Sequence, residues 1–489
     1  MIDLTVHRQG LAHNLKSAAK HKVVLPTFAQ LRDPGQIGEA TLARLAETPL
    51  SAVDPINLFR IHWHNEAKAV GGRMQAVPNF VEIPPALSGV PCRILAMAGK
   101  WFPTGCHKVG AAYGCMVPRL VTGQFDTAFH RAVWPSTGNF CRGGVFISRL
   151  LGVDAVAIVP KTMSRERFDW LQKIGCRMIA TPGETSGAKE LLEQTEKLRE
   201  DPSMRILNQF AEMGNPLWHY NVTGTALAEL FEAVKRPGQR LAGAAFCSGS
   251  GGTLSAGELL KERYPQAKLA VGEALQASVI VRQGFGTHRI EGVGDRLIPW
   301  VHNVRQTDLA IAVDDADALA LLRLFNTAAG LAYLRAGLGL RDEQVEPLAW
   351  MGISGIANVL CCIKMAKWYE LTENDVLVTV LTDSADLYRS RVEAMEERFG
   401  PYDAVQAERD HALHLLGQKT DQIVELTYPE RKRVHNQKYR SWVEEQGKTV
   451  EELNEQWTRP AYWDDVHRQT DALDALITEF NEQVGESIR

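Results

Sequence analysis

The chain has 489 residues, 45% of them hydrophobic, with a formal net charge of −4 at pH 7 and a sequence pI near 6.4. That length exceeds one ordinary domain and predicts two domains plus additions, with enough surface for sizeable cores. The mild acidity supplies no general attraction for nucleic acid or anionic lipid, so neither is an expected partner.

Residues 1–83 read as an N-terminal extension, because Pro26, Pro34, Pro49 and Pro55 interrupt every short helical pattern there. His62-Trp63-His64 brings two imidazoles close in sequence. No Cys, Asp or Glu pattern completes a ligand set beside them, and alternate residues of a strand share a face without an ion, so no metal is expected.

The run Pro103-Thr104-Gly105-Cys106-His107-Lys108 places a lysine in surroundings unlike a charged helix face. Such an amine, once burial lowers its pKa toward neutrality, can form a Schiff base with an aldehyde cofactor and shuttle protons. Pro135-Ser136-Thr137-Gly138-Asn139 then groups small hydroxyls with a glycine that allows close backbone approach. A carboxylate needs such converging donors; a strand-to-helix turn capped by Ser136 is the structural alternative.

Asp154 to Pro160 predicts a short apolar strand, followed by a helix capped by Ser164 and ended at Gly175, and a strand from Cys176 to Ala180. A one-sided helix runs through Ala188, Leu191, Leu192, Thr195 and Leu198, with a strand near Leu207. Leu241 to Cys247, the turn Gly249-Ser250-Gly251-Gly252-Thr253, a helix through Leu259 and Leu260, and a strand from Leu269 to Gly272 form a second βαβ unit. A glycine turn opening a helix offers unpaired N–H groups to a phosphate. The dinucleotide fingerprint is a poor match, since Leu254 stands where its third glycine belongs.

Leu348 to Ile363 is the most apolar stretch, yet it is shorter than the roughly 20 residues of a membrane-spanning helix and reads as a buried helix. A last strand, Val376 to Leu381, precedes Thr382-Asp383-Ser384-Ala385. From residue 400 the chain turns helical and charged, with Trp442, Trp457, Tyr462 and Trp463 as apolar anchors. The expected division is 84–225 as a small lobe carrying Lys108, 226–399 as a large lobe carrying the glycine turn, and 400–489 as a helical appendage. Two α/β lobes place a site in the crevice between them.

The eight cysteines form no C-x-x-C pair and several sit in apolar runs, so reduced, buried thiols are expected. Cys106 and Cys141 flank the candidate loops and read as small apolar filling. Met1-Ile2-Asp3-Leu4 opens no signal-peptide pattern, which makes the cytoplasm the expected location.

Taken in order, Lys108 with its flanks, Ser136 to Asn139, Gly249 to Thr253 and Thr382-Asp383-Ser384 resemble the fold-type II pyridoxal-phosphate enzymes. That group includes cysteine synthase, cystathionine β-synthase, threonine synthase and the tryptophan synthase β subunit. The resemblance implies a two-lobed α/β fold and pyridoxal 5′-phosphate carried on Lys108, with His107 near its phosphate. By the same resemblance Gly249, Ser250, Gly251, Gly252 and Thr253 cradle the phosphate, and Gly292 lies beside the cofactor. Asn139 meets the ring hydroxyl, and Ser384, rather than Asp383, meets the pyridine nitrogen. Ser136, Thr137, Gly138 and Gln209 take the substrate carboxylate.

The implied activity is α,β-elimination on a small amino acid through an aminoacrylate, by a lyase that releases ammonia or the β-group. The alternatives are β-replacement of the cysteine synthase type and a cofactor-binding protein without turnover. A homodimer is common in the family. Phe140 departs from the small or polar residue usual after the asparagine, and no acid precedes Ser136 as in the tryptophan synthase loop.

Overall fold

The computed structural model describes residues 1–68, 70–136, 138–182, 188–284, 286–294 and 296–488. The apolar runs form two sheets. The larger is seven-stranded, built from β1 (Phe80–Ile83), β2 (Arg93–Ala98), β7 (Arg240–Cys247), β8 (Lys268–Ala274), β9 (Leu309–Val313), β10 (Asp375–Leu381) and β11 (Ile423–Glu425) in the order β1-β2-β10-β7-β8-β9-β11. Its interior pairs are parallel, and the edge strands β1 and β11 pair antiparallel with β2 and β9. The smaller is four-stranded and wholly parallel, β5-β4-β3-β6, from β3 (Arg131–Pro135), β4 (Ala155–Pro160), β5 (Arg177–Thr181) and β6 (Met204–Ile206).

All of β2 and β10 is buried, which is why these strands read as continuous apolar runs rather than alternating ones. The expected helices appear as Arg165–Lys173, Ala188–Arg199, Leu254–Arg263 and Ile353–Trp368. Ser164 stands at the N-cap of the first without making a side-chain cap bond. Among the described residues no single helix is long and apolar enough to cross a membrane.

The lobes divide differently from the linear split at residue 225. Strands β1 and β2, ahead of Lys108 in sequence, lie in the large sheet because β2 pairs with β10. The small sheet is supplied entirely by residues 131–206. Strand β11, inside the expected helical appendage, is a further element that sequence periodicity did not reveal.

Helix Lys108–Val121 crosses the short helix Gly214–Trp218 at very close range. A Cβ on Gly114 would lie 2.1 Å from the Gly214 carbonyl oxygen, so only glycine fits the crossing. The N-terminal extension is part of this core. Helix Arg8–His21 packs on the last helix, Tyr462–Ile488. Asp474 accepts from the Phe28 and Ala29 amides at 2.6 and 3.0 Å, while Asn481 exchanges two bonds with the Leu25 backbone.

The C-terminal segment grips the chain just beyond Gly292. Lys438 is fully buried and donates to the carbonyls of Trp300 (3.0 Å) and His302 (2.7 Å) and to Gln456 Oε1 (2.9 Å). The Trp442 indole donates to the Ile298 carbonyl at 2.8 Å. Lys438→Met removes the three donated bonds, although the Trp300 and His302 carbonyls still accept from Gln456 Nε2 and the Val304 amide, at a cost of roughly 1–3 kcal/mol. We expect a lower thermal midpoint and faster proteolysis beyond residue 400; a wild-type midpoint would show that apolar contacts alone hold the segment.

Candidate active site

Strand β7 ends at Cys247 and the chain turns sharply through Gly249 to Thr253 before helix Leu254–Arg263 begins. A Cβ on Gly252 would stand 2.2 Å from Asn215 Oδ1, so the turn must be glycine there to pack on the neighbouring helix. Among the described residues the N–H groups of Gly251, Gly252 and Thr253 make no hydrogen bond. Unpaired amides at a helix start are the arrangement that receives an anion.

Lys108 begins its helix and reaches this turn. Its Nζ donates to Ser250 Oγ at 2.9 Å and to Gln209 Oε1 at 3.0 Å, and Ser250 Oγ also accepts from Asn215 Nδ2 at 3.1 Å. The lysine borders a narrow cavity shared with His107, Gly249, Ser250, Gly251, Thr253 and Gly292. Burial pushes its ammonium down to about 8. His107 is buried with neither ring nitrogen hydrogen-bonded, and burial holds its imidazole well below the usual range and so neutral.

Ser136, Gly138 and Asn139 occupy the small-lobe side. The Gly138 amide donates to Ser136 Oγ at 3.2 Å. Asn139 Nδ2 donates to Asp383 Oδ2 at 2.6 Å, and its Oδ1 accepts from Arg167 Nε at 3.2 Å. Thr137 lies outside the described residues. Buried Arg167 also pairs with Glu291, Tyr388 and Asp383, the last at 3.1 Å. Burial alone would lower the Arg167 pKa; Tyr388, Glu291 and Asp383 outweigh that and raise it. Arg142, one helical turn beyond Asn139, is buried 4.8 Å from the Trp170 ring, and its Nε and one terminal nitrogen have no partner.

Ser384 does not border the cavity. Its hydroxyl donates to Asp386 Oδ2 at 3.2 Å, while Ser354 and Thr382 line the cavity with their hydroxyls 2.5 Å apart. Thr382 sits at the end of β10, and the turn Ala385–Leu387 draws Ser384 away. Sequence reasoning passed over Thr382, Ser354, Asn358 and the Arg167 cluster. Thr382 and Ser354 stood in the sequence only within the runs Thr382-Asp383-Ser384 and Gly352-Ile353-Ser354-Gly355. The Cys106 and Cys141 thiols are fully buried and pushed up to about 12, chiefly by burial, so they pack rather than react.

Residues 81–337 match the family model described as "pyridoxal-phosphate dependent enzyme". The chain belongs to that family. A cysteine synthase of Staphylococcus aureus is 30% identical over 259 residues, covering 53% of this chain and 75% of its own length. A probable cysteine synthase of Bacillus subtilis is 26% identical, covering 59% and 85%. Among solved structures, an O-acetylserine dependent cystathionine beta-synthase from Helicobacter pylori superposes with a TM-score of 0.53 at 22% identity, covering 64% of this chain and 94% of the other. That likeness is one of fold.

The cofactor of this family, pyridoxal phosphate, fits the residues present. The unpaired amides of the glycine turn suit its phosphate, the partnerless imidazole of His107 stands beside the cavity, and Lys108 supplies an amine with a depressed pKa. On apoprotein, the rate of borohydride trapping of pyridoxal phosphate at Lys108 is expected to climb with pH and level off above about 8, where the neutral amine predominates. A rate still rising toward 10.5, the ordinary lysine value, would contradict the burial argument.

Proposed function

We propose that this protein carries pyridoxal phosphate on Lys108 and eliminates the β-substituent of a small amino acid. The observation that carries this reading is the pairing of a buried, deprotonatable Lys108 with a cavity wall that presents hydroxyls, Ser354 and Thr382, rather than a carboxylate. The bound cofactor supplies an electron sink for the carbanion formed at the α-carbon.

The chain's residues perform the remainder. Gly249, Ser250, Gly251, Gly252 and Thr253 hold the phosphate, with His107 and Gly292 beside it. Asn139, oriented by Asp383 and Arg167, would meet the ring hydroxyl. Ser136, Thr137, Gly138 and Gln209 receive the substrate carboxylate. Lys108 would take the α-proton on Nζ, the nitrogen that Ser250 Oγ holds at 2.9 Å. Thr382, with Ser354 behind it, replaces Ser384 as the partner for the pyridine nitrogen; a hydroxyl leaves that nitrogen largely unprotonated, which suits loss of a β-substituent.

The second reading is β-replacement, favoured by the similarity to the Staphylococcus aureus cysteine synthase. The two share every step up to the departure of the leaving group. O-acetylserine with and without sulfide separates them: a 2-oxo acid and ammonia in both reactions mark elimination, and cysteine formed only with sulfide marks replacement.

Lys108→Ala is expected to abolish turnover in either assay while leaving the circular dichroism spectrum intact, and retained activity would defeat the assignment. Thr382→Val should shift the cofactor's visible absorbance and its pH dependence, while Ser384→Ala should leave both unchanged. The opposite pattern would restore Ser384 as the ring partner.

A further inference from the structure

Away from the cavity, helix Leu254–Arg263 meets the start of the C-terminal helix Tyr462–Ile488. There Glu262, Asp464 and His467 each present one ligand atom, and the atoms all lie within 4.8 Å of one another. Asp464 and His467 are three residues apart and so share a helix face. Glu262 and Asp464 are exposed, and neither carries an ion pair among the described residues. His467 is only 8% exposed, and neither of its ring nitrogens makes a hydrogen bond there: Nδ1 is sealed from solvent without a partner, and Nε2 stands 3.9 Å from Glu258 Oε2. Burial lowers its pKa to about 4, which leaves a neutral imidazole with a free lone pair near pH 7. The ring is fixed by Tyr220, stacked on it at 3.7 Å, whose hydroxyl donates to Glu262 Oε2 at 2.7 Å.

A buried imidazole with an unpartnered ring nitrogen, beside two carboxylates that carry no ion pair among the described residues, is an arrangement that a cation would complete. We propose that Glu262, Asp464 and His467 bind a divalent transition-metal ion, with Zn²⁺ the best match, and that the ion pins the C-terminal helix to the helix rising from the glycine turn. One nitrogen and two carboxylate oxygens are a common donor set for zinc, with water as a fourth ligand. Zinc bonds of about 2.0–2.2 Å require the ligand atoms to draw slightly closer, which the exposed Glu262 and Asp464 side chains can do. A hard ion such as Mg²⁺ prefers oxygen and water over imidazole. This site stands apart from the chemistry at Lys108 and does not rest on it.

The test is calorimetric titration of the holoprotein with ZnCl₂ and with MgCl₂, beside Glu262→Gln, Asp464→Asn and His467→Gln. The two carboxylate variants change exposed side chains and are expected to fold normally. The wild type should bind zinc in preference to magnesium and gain thermal stability with added zinc, whereas each variant should lose at least about tenfold in affinity and most of that gain. Crystals soaked in zinc should show an anomalous peak between the three side chains. Equal zinc affinity in wild type and variants, or anomalous peaks only at the thiols or the cofactor, would overturn the proposal.

Discussion

The hydroxyl of Ser250 is the junction on which the site depends. Its oxygen accepts from the Lys108 ammonium and from the Asn215 amide, using both lone pairs. Asn215 also donates to the Gln209 carbonyl at 2.8 Å, and Gln209 Oε1 takes a second bond from Lys108. Segments from three separate parts of the chain are thereby held in one orientation. Each bond is modest in water, but burial raises the cost of leaving any of these groups unmade. The same burial that brings the lysine near neutrality requires these partners to hold it.

A second constraint joins the lobes. Arg167 from the small lobe is buried against Glu291 and Asp383 from the large one, and Arg391 meets the other Glu291 oxygen at 2.6 Å. Burying ions is costly unless each is paired, so such a cluster contributes more to orientation than to net stability. Its effect here is to fix Asn139 through two bonds to its amide. Relative placement of the lobes and aim of the asparagine are therefore one electrostatic problem, solved by a set of ions that local sequence does not announce.

The lysine and the glycine turn were legible in the sequence because each is a local motif with a local physical purpose. The strands were legible as apolar runs, and their helices as one-sided spacings. The membership of β1 and β2 in the large sheet was not, since it is decided by β10, far along the chain. Strand β11 is short and only half-buried, so it leaves little periodic trace. The resemblance favoured Ser384 over Asp383; β10 ends at Leu381 as expected, but the following turn carries the Ser384 hydroxyl off to Asp386, a bend that local sequence does not show. The Arg167 cluster draws on residues more than 200 positions apart, beyond any window of pattern reading.

The interlocked ends of the chain bear on how the molecule matures. The glycine turn and Lys108 leave the ribosome well before β10, which seals β2 against β7, and before the last helix, which covers Arg8–His21. At translation speeds of roughly 5–20 residues per second, those apolar faces wait many seconds for their cover. The nascent polypeptide is thus a natural client for a chaperone that shields greasy surface, and trimming its tail would strip the head of its bedding as well.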